Sequence, residues 1–454
     1  MSFNWQQKGW PRVTCNRAAL RDELKAFEAA FKALKKALGK SQDLEVVART
    51  LTDEAVKTSA IEGVNVDESV VMSSICKALG VTYLPKGFTK DARAEGVAQM
   101  VLTVRETWAK PISAPLLKRY HADLMSGDSR PITIGDFRVH DEPMRVIRRH
   151  ADGTVEIRYE APPSSCVPKE IRTFVRMWKD MPTKPAEIAL KAALLHPHFE
   201  SIHPFEDGNG RVGRALVAKT IAEALGVPLI LPVSTILMRH RTAYYDEINE
   251  ASRTLDWTNW AAFFTPVLTE MMTSFVEAMR FVKAKRDYLA KFEGSFTERA
   301  KKVILRMFED GEAGVRAGLS AAKWMRMTKV SKPTATRDLA ELFAQGAIVP
   351  ETLGGPETRY RLACVLNEPI EPLNEPIEGI NEGINAQLVR LISRHPGVRI
   401  PYLKSVVGAS TSTVERAIAA LVKEGKVEHR GSKKTGGYYA AARQVKDEER
   451  GVTR

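Results

Sequence analysis

The chain has 454 residues, with 68 Lys+Arg against 55 Asp+Glu, a formal net charge of +13, 44% apolar residues and 27% charged ones. At roughly 100–200 residues per domain this length predicts two to four domains, each large enough to bury a core, and the composition excludes general disorder and any fibrous bias. The first 38 residues are interrupted by Lys8, Arg12, Arg17, Arg21 and Lys25 and hold no apolar core of the kind a secretory signal needs, so a cytoplasmic protein is expected. The most apolar stretch, 225–238, is too short for a membrane span and is broken by Pro228 and Pro232. Cys15, Cys76, Cys166 and Cys364 are scattered without C-x-x-C pairing and read as buried thiols, not as a disulfide framework or zinc ribbon. The basic balance is compatible with nucleic-acid contact but does not establish it.

In chain order, apolar positions at helical spacing (Leu20, Leu24, Phe27, Phe31, Leu34, Leu38) predict an amphipathic helix that stops at Gly39. A second helix is expected from Ser41, a suitable N-cap, to Glu62-Gly63, with Leu44, Val47, Ala48, Leu51 and Ala55 on one face. Helical patterns continue over 91–108, 114–125, 169–181 and 186–199. Two β-prone runs, 144–149 and 154–159, flank a turn at 150–153 and predict a hairpin. Long helical segments end near Phe292. The expected fold is mainly α: a helical core with a β-hairpin flap, followed by two small α+β modules.

The densest chemical signal is His203-Pro-Phe-Glu-Asp-Gly-Asn-Gly-Arg-Val-Gly-Arg214, between the helix ending near Phe199 and one starting near Arg211. At a helix N-terminus, Gly208, Asn209 and Gly210 can turn backbone N–H groups toward one point where the helix dipole favours negative charge, which makes an anion cradle. Arg211 and Arg214, three residues apart, can both reach a polyphosphate; Asp207 offers a hard oxygen ligand for Mg²⁺, and His203 a base that is neutral near pH 7. Cradle, metal ligand and base together suggest nucleotide transfer to a hydroxyl. Phe205 reads as an apolar anchor of the loop. A rival set, His196, His198 and His203 as zinc ligands, is disfavoured because Pro197 disturbs helical presentation and no Cys is near, so His196 and His198 read as packing residues.

The run 203–214 resembles the Fic family motif, His-x-Phe-x-Asp/Glu-Gly-Asn-Gly-Arg-x-x-Arg, at every specified position. Gly135-Asp-Phe-Arg138, the hairpin and Ala161-Pro-Pro163 are similar to the family's flap region, and Tyr244-Tyr245 with Asp256-Trp257 to its closing helices, so the resemblance covers roughly residues 45 to 285. It implies a transferase moving AMP from ATP to a protein Ser, Thr or Tyr hydroxyl. His203 would be the base and Asp207 the Mg²⁺ ligand. The 208–211 backbone with Arg211 would stabilise the α/β-phosphates, and Arg214 would clamp the γ-phosphate. Tyr244 and Tyr245 either flank the adenine or belong to the core. Thr58-Ser-Ala-Ile-Glu62-Gly63 is similar to the family's inhibitory motif: Glu62 would pair two-pronged with Arg214 and take the place of the γ-phosphate, while the Thr58 hydroxyl supports the helix end. The hairpin would either receive the target segment along a strand edge, where Arg145, Arg148, Arg149 and Arg158 would suit an acidic one, or serve as a structural cover of the core with those arginines solvated.

Residues 296–363 follow the winged-helix order, with Ser331-Lys-Pro-Thr-Ala-Thr-Arg337 opening the recognition helix. The run 367–385 repeats itself, carries five Glu and no Lys or Arg, and reads as a linker. Residues 386–440 read as a second winged helix, with Ser410-Thr-Ser-Thr-Val-Glu-Arg416 opening its recognition helix and Lys433 and Lys434 on the wing. The expected division is therefore 1–90 (helical, with the inhibitory helix), 91–290 (catalytic), 291–366 and 386–445 (winged helices) around a linker at 367–385. Whether the winged helices bind DNA or protein stays open, as does a homodimer. Two alternatives remain beside the transferase: a DNA-binding regulator with a nucleotide-sensing core, and Glu62-dependent removal of AMP from a modified protein.

Overall fold

In a computed structural model the chain is mainly helical. The structure describes residues 2–38, 43–82, 90–149, 152–179, 184–350, 359–364, 410–430 and 437–441, with single positions between 385 and 407. The helices of the first core are α1 (Arg21–Leu38), α2 (Leu44–Ile61), α3 (Glu68–Leu79), α4 (Ala92–Glu106), α5 (Ala114–Met125), α6 (Val167–Trp178), α7 (Pro185–Ile202), α8 (Asn209–Leu225), α9 (Val233–Arg239), α10 (Arg241–Ala251) and α11 (Thr258–Lys291). Between α5 and α6 lies the antiparallel hairpin β1 (Arg145–Arg149) and β2 (Val155–Glu160), pairing Arg145 with Glu160 and Ile147 with Ile157 across a register irregularity after Val146. One continuous core joins Leu20, immediately before α1, to Val276 on α11.

Local chemistry explains several boundaries. Helix α2 starts later than expected because the capping side chain is Asp43, which accepts from the Glu45 and Val46 N–H groups at 3.0 and 3.4 Å. It ends at Glu62, as expected, with Gly63 at φ +75 turning the chain away. Helix α7 runs through Pro197, beyond the stop expected near Phe199. A proline leaves the carbonyl four residues back without its N–H. Here that carbonyl, of Ala193, accepts the Trp260 indole N–H from α11 at 2.7 Å, so the missing bond is replaced by one that locks α7 to α11.

At 34 residues, about 50 Å of helix at 1.5 Å per residue, α11 leaves the first core and enters a second one at Tyr288. That core gathers α12 (Glu298–Glu309), α13 (Gly311–Arg316), α14 (Ala321–Thr328), α15 (Lys332–Ala344) and the two-stranded sheet β3 (Ile348–Pro350) and β4 (Tyr360–Leu362). The element order is the expected one with α13 added; residues 351–358, between the two strands, lie outside the described residues. A third cluster holds α16 (Thr411–Lys423), capped by Ser410, and the antiparallel pair β5 (Val427–Arg430) and β6 (Gly437–Ala440). The linker at 367–384, most of 386–409, and Lys433 and Lys434 lie outside the described residues. Among the described residues no helix is long and apolar enough to cross a membrane. The four cysteines are free, Cys76 and Cys364 buried and the other two partly so.

The N-terminal segment is stitched to the hairpin and the end of α7. Fully buried Asn4 donates to Ser201 Oγ (2.7 Å) and the Ala251 carbonyl (3.2 Å), while the Trp5 indole donates to the Glu160 carbonyl. Leaving these partners unmatched carries the cost of buried unpaired polar groups. Asn4→Ala is therefore expected to lower stability by about 1–3 kcal/mol, measured as a shift in the denaturant midpoint.

Candidate active site

Helix α7 ends where His203 turns the chain: its N–H still bonds the Phe199 carbonyl (3.0 Å), but its backbone is left-handed, φ 48. A non-glycine residue there is strained and needs support. Arg138, 1% exposed, supplies it: Nε donates to the His203 carbonyl at 2.8 Å, the Arg138 N–H to the Pro204 carbonyl at 2.9 Å, and Nη1 to Ser164 Oγ at 2.8 Å. Two residues on, Phe205 is fully buried and stacks on His121 with centroids 4.0 Å apart, as an apolar anchor should. His121 Nδ1 accepts the Gly135 N–H, so its Nε2 carries the proton and donates to the Asp207 carbonyl at 3.1 Å. Burial pushes His121 down to about 4 and keeps it neutral.

Gly208, at φ +82, caps α8. The Asn209 side chain is committed inward, accepting the Phe205 N–H at 2.9 Å and donating to the Phe205 carbonyl at 2.8 Å. What Asn209 can offer an anion is its backbone N–H. Asp207 stands at the cavity mouth, with Oδ1 near Arg211 (3.2 Å) and Oδ2 paired with Arg130, which also pairs with Asp128. Burial works to raise its pKa, but Arg130 and Arg211 outweigh it and Asp207 is lowered, hence ionised.

Arg214 is fully buried. Its Nε donates to Thr58 Oγ1 and Nη2 to the Thr58 carbonyl, both at 2.9 Å; Nη1 donates to the Tyr244 hydroxyl at 3.3 Å; Glu62 Oε1 lies 2.8 Å from Nη2. Burial disfavours its charge, but Glu62 and Tyr244 more than offset this and its pKa is raised. The Thr58 hydroxyl therefore binds the arginine and does not support the helix end as expected. With Thr58 and Tyr244 occupying other edges of the guanidinium, Glu62 approaches through Oε1, not in the two-pronged pose read from the sequence. The last turn of α2 is itself held by Arg241 and Tyr245, which both donate to the Ile61 carbonyl at 2.8 Å.

These groups surround a cavity of about 270 Å³ lined by Glu62, Glu200, His203, Asp207, Gly208, Gly210, Tyr244 and Tyr245, with Met144, Val146 and Tyr159 from the hairpin region on one side. Tyr244 is buried and donates or accepts between His196 Nε2 (2.8 Å) and Arg214, so it belongs to the wall behind the cradle; Tyr245 is half-buried. Burial keeps His196 and His198 neutral, and they pack among Trp178, Trp257, Trp260 and Phe174. Among the described residues no group of three or more His, Cys, Asp or Glu could hold a metal; His196 Nε2 bonds the Tyr244 hydroxyl and His198 Nδ1 accepts the Trp178 indole N–H at 3.0 Å. On the hairpin Arg145 pairs with Glu160 and Arg158 with Glu156, so half of the four arginines are already engaged; the side chains of Arg148 and Arg149 lie outside the described residues. Sequence reasoning missed His121, Arg130 and Glu200, and saw Arg138 only as part of a flap.

Two family models match the chain: Fic/DOC family over residues 111–220, and a domain of unknown function (DUF4172) over residues 3–81. The chain thus carries a domain of the Fic/DOC family, which contains the whole of the loop together with Arg130, Arg138, Arg211 and Arg214. Among curated relatives, a probable protein adenylyltransferase of Aquifex aeolicus is 24% identical over 209 residues, 46% of this chain and 58% of the relative. A Fido domain-containing protein of Dictyostelium discoideum is 50% identical over 52 residues, 12% of this chain and 35% of the relative. The chain therefore spans about half the length, or less, of the curated relatives it matches. Among solved structures, a Fic family protein from Desulfovibrio desulfuricans aligns with TM-score 0.46 and 21% identity over 78% of this chain and 98% of that one. The Fic-1 protein of C. elegans aligns with TM-score 0.41 and 17% identity over 58% and 72%.

Gly210 is where the fit is tightest: a Cβ there would lie 2.3 Å from Glu62 Oε1 and 3.0 Å from Arg214 Nη1. Gly210→Ala, a good helix former at a helical position, should leave α8 intact but push Glu62 off. The expected readout is faster hydrogen exchange over residues 58–64 with protection of α8 unchanged.

Proposed function

We propose that this chain is an autoinhibited protein adenylyltransferase that moves AMP from ATP to a Ser, Thr or Tyr hydroxyl of a protein, itself included. The observation that carries the reading is the convergence, in one cavity, of a neutral histidine, an ionised aspartate and the N-terminus of α8, with a buried arginine behind them held by Glu62. Burial pushes His203 down to about 4, so its free ring nitrogen is a base throughout the neutral range. The name of the Aquifex relative supports the same chemistry.

Asp207 fits a Mg²⁺ ion. It is an ionised oxygen donor at the cavity mouth, and Mg²⁺ is characteristically held by one or two carboxylates with substrate phosphates supplying further oxygens. When bound, the ion would neutralise charge on the phosphates. In this reading the backbone N–H groups of Gly208, Asn209 and Gly210, with Arg211, hold the phosphates next to the reacting centre. Arg214 receives the terminal phosphate once Glu62 withdraws. His203 removes the proton of the incoming hydroxyl, and the hairpin lies beside the cavity where an extended segment can pair with it. Residues 1–90 serve as the inhibitory helical region, 91–290 as the catalytic domain, and 291–366 and 386–445 as winged-helix modules around the 367–385 linker. The order of α12, α14, α15, β3 and β4 supports the first of these modules.

The test is transfer of label from ATP labelled at the α or the γ position. Label from α alone is expected, increased about 5–150-fold in Glu62→Gly, the range of a typical coupling between sites. Adding His203→Ala should lower transfer by about 10²–10⁴-fold. Label from γ, or equal transfer with and without His203, overturns the reading.

A further inference from the structure

Glu200 sits one turn before His203 on α7 and lines the same cavity. Its Oε1 is buried and has no hydrogen-bond partner, while its Oε2 lies 3.7 Å from His203 Nδ1. The nearer contact of Nδ1, at 3.2 Å, is Glu200's own carbonyl oxygen. A carbonyl only accepts, so Nδ1 carries the proton of the neutral ring and the basic lone pair is on Nε2. An unpartnered buried carboxyl is unfavourable, and this one stands directly behind the base.

Resting on the reading of His203 as general base, we propose that Glu200 is its positioning residue, fixing the ring through its carbonyl and, as a carboxylate, supporting the imidazolium that forms when His203 takes up the substrate proton. In that step the hydroxyl O–H bond breaks and the Nε2–H bond forms. The electron pair left on oxygen makes the new bond to phosphorus as pyrophosphate departs. Glu200 itself gains and loses no proton in the step.

The groups facing Glu200 set its charge. Burial first, then the Glu62 carboxylate at the end of α2, push it up to about 8, while Arg214 on α8 pulls it down. His196 on the same helix is kept neutral by burial, and so are the phenols of Tyr159 on β2 and Tyr244 on α10, whose pKa values are raised. With Glu62 in place Glu200 is mostly protonated at neutral pH. Withdrawal of Glu62 removes one raising influence, so the carboxylate forms at lower pH. Glu62 would then inhibit twice: it occupies Arg214 and it keeps the support of the base uncharged.

The experiment uses the full chain with Glu62→Gly alone, and combined with Glu200→Gln or Glu200→Asp. AMP transfer is measured from about pH 5 to about pH 9, and the His203 imidazole is titrated independently by NMR without ATP, its signals assigned by their loss in His203→Ala. Glu200→Gln is expected to lower kcat by about 10-fold or more with KM for ATP little changed. It should also abolish the rise in rate as pH climbs toward the Glu200 titration, and remove the step that ionisation of Glu200 puts into the pH dependence of the His203 ring signals. Glu200→Asp should retain part of the rate and of the titration. An unchanged His203 titration in both folded variants overturns the proposal, whether or not the rate falls, because a purely structural role would leave it unmoved. If no variant transfers AMP but the His203 titration still follows Glu200, the pairing stands and the transferase reading fails.

Discussion

The site depends on one buried charge. Arg214 is completely enclosed, and leaving a guanidinium in that position without an anion costs about 3–5 kcal/mol. Thr58 and Tyr244 satisfy its donors but bring no negative charge; Glu62 does. That requirement explains why the end of α2 presses so closely on α8 that position 210 has no room for a side chain. It also explains why Arg241 and Tyr245 clamp the Ile61 carbonyl from α10: the carboxylate must be delivered by a helix end that does not drift.

A second constraint is the shape of the loop from 203 to 208. Both ends are left-handed, so the loop makes no repetitive hydrogen bonds and its backbone groups need other partners. Arg138, His121 and Asn209 are polar side chains buried for that purpose, and each bonds backbone of the loop. None of the three needs to touch a ligand to matter. Because they hold the main chain, His203 and Asp207 project from a surface that is set before anything binds, which is the condition for low reorganisation during reaction.

This division of labour decides what could be read from the sequence. Residues 203–214 act within one loop and one helical turn, so their spacing carries their geometry, and the helices on either side follow from hydrophobic periodicity. The supporting residues act across long separations: Arg138 reaches 65 positions to His203, and Thr58 reaches 156 to Arg214. Nothing local marks a histidine in α5 as the partner of a loop 86 residues on. What makes Pro197 tolerable inside α7 is distant for the same reason. Its helix-breaking tendency is a local rule, overridden by the indole of Trp260, 67 residues beyond the carbonyl it freed. Glu200 is hidden in another way, because a Glu in the last turn of a helix reads as a solvated charge until its burial is known.

The same electrostatics limits what can displace Glu62. Whatever takes its place must bring negative charge to Arg214, since water in a closed pocket would leave the arginine uncompensated. It must also reach over Gly210 without a bulky neighbour, because the α8 backbone lies immediately below. A terminal phosphate meets both conditions, and a neutral ligand fails the first. In the proposed reading, exchange at Arg214 is thus a replacement of one anion by another at nearly constant charge. The helix end that carries Glu62 can then be bound firmly and still be released, because the ligand supplies the charge compensation that release removes.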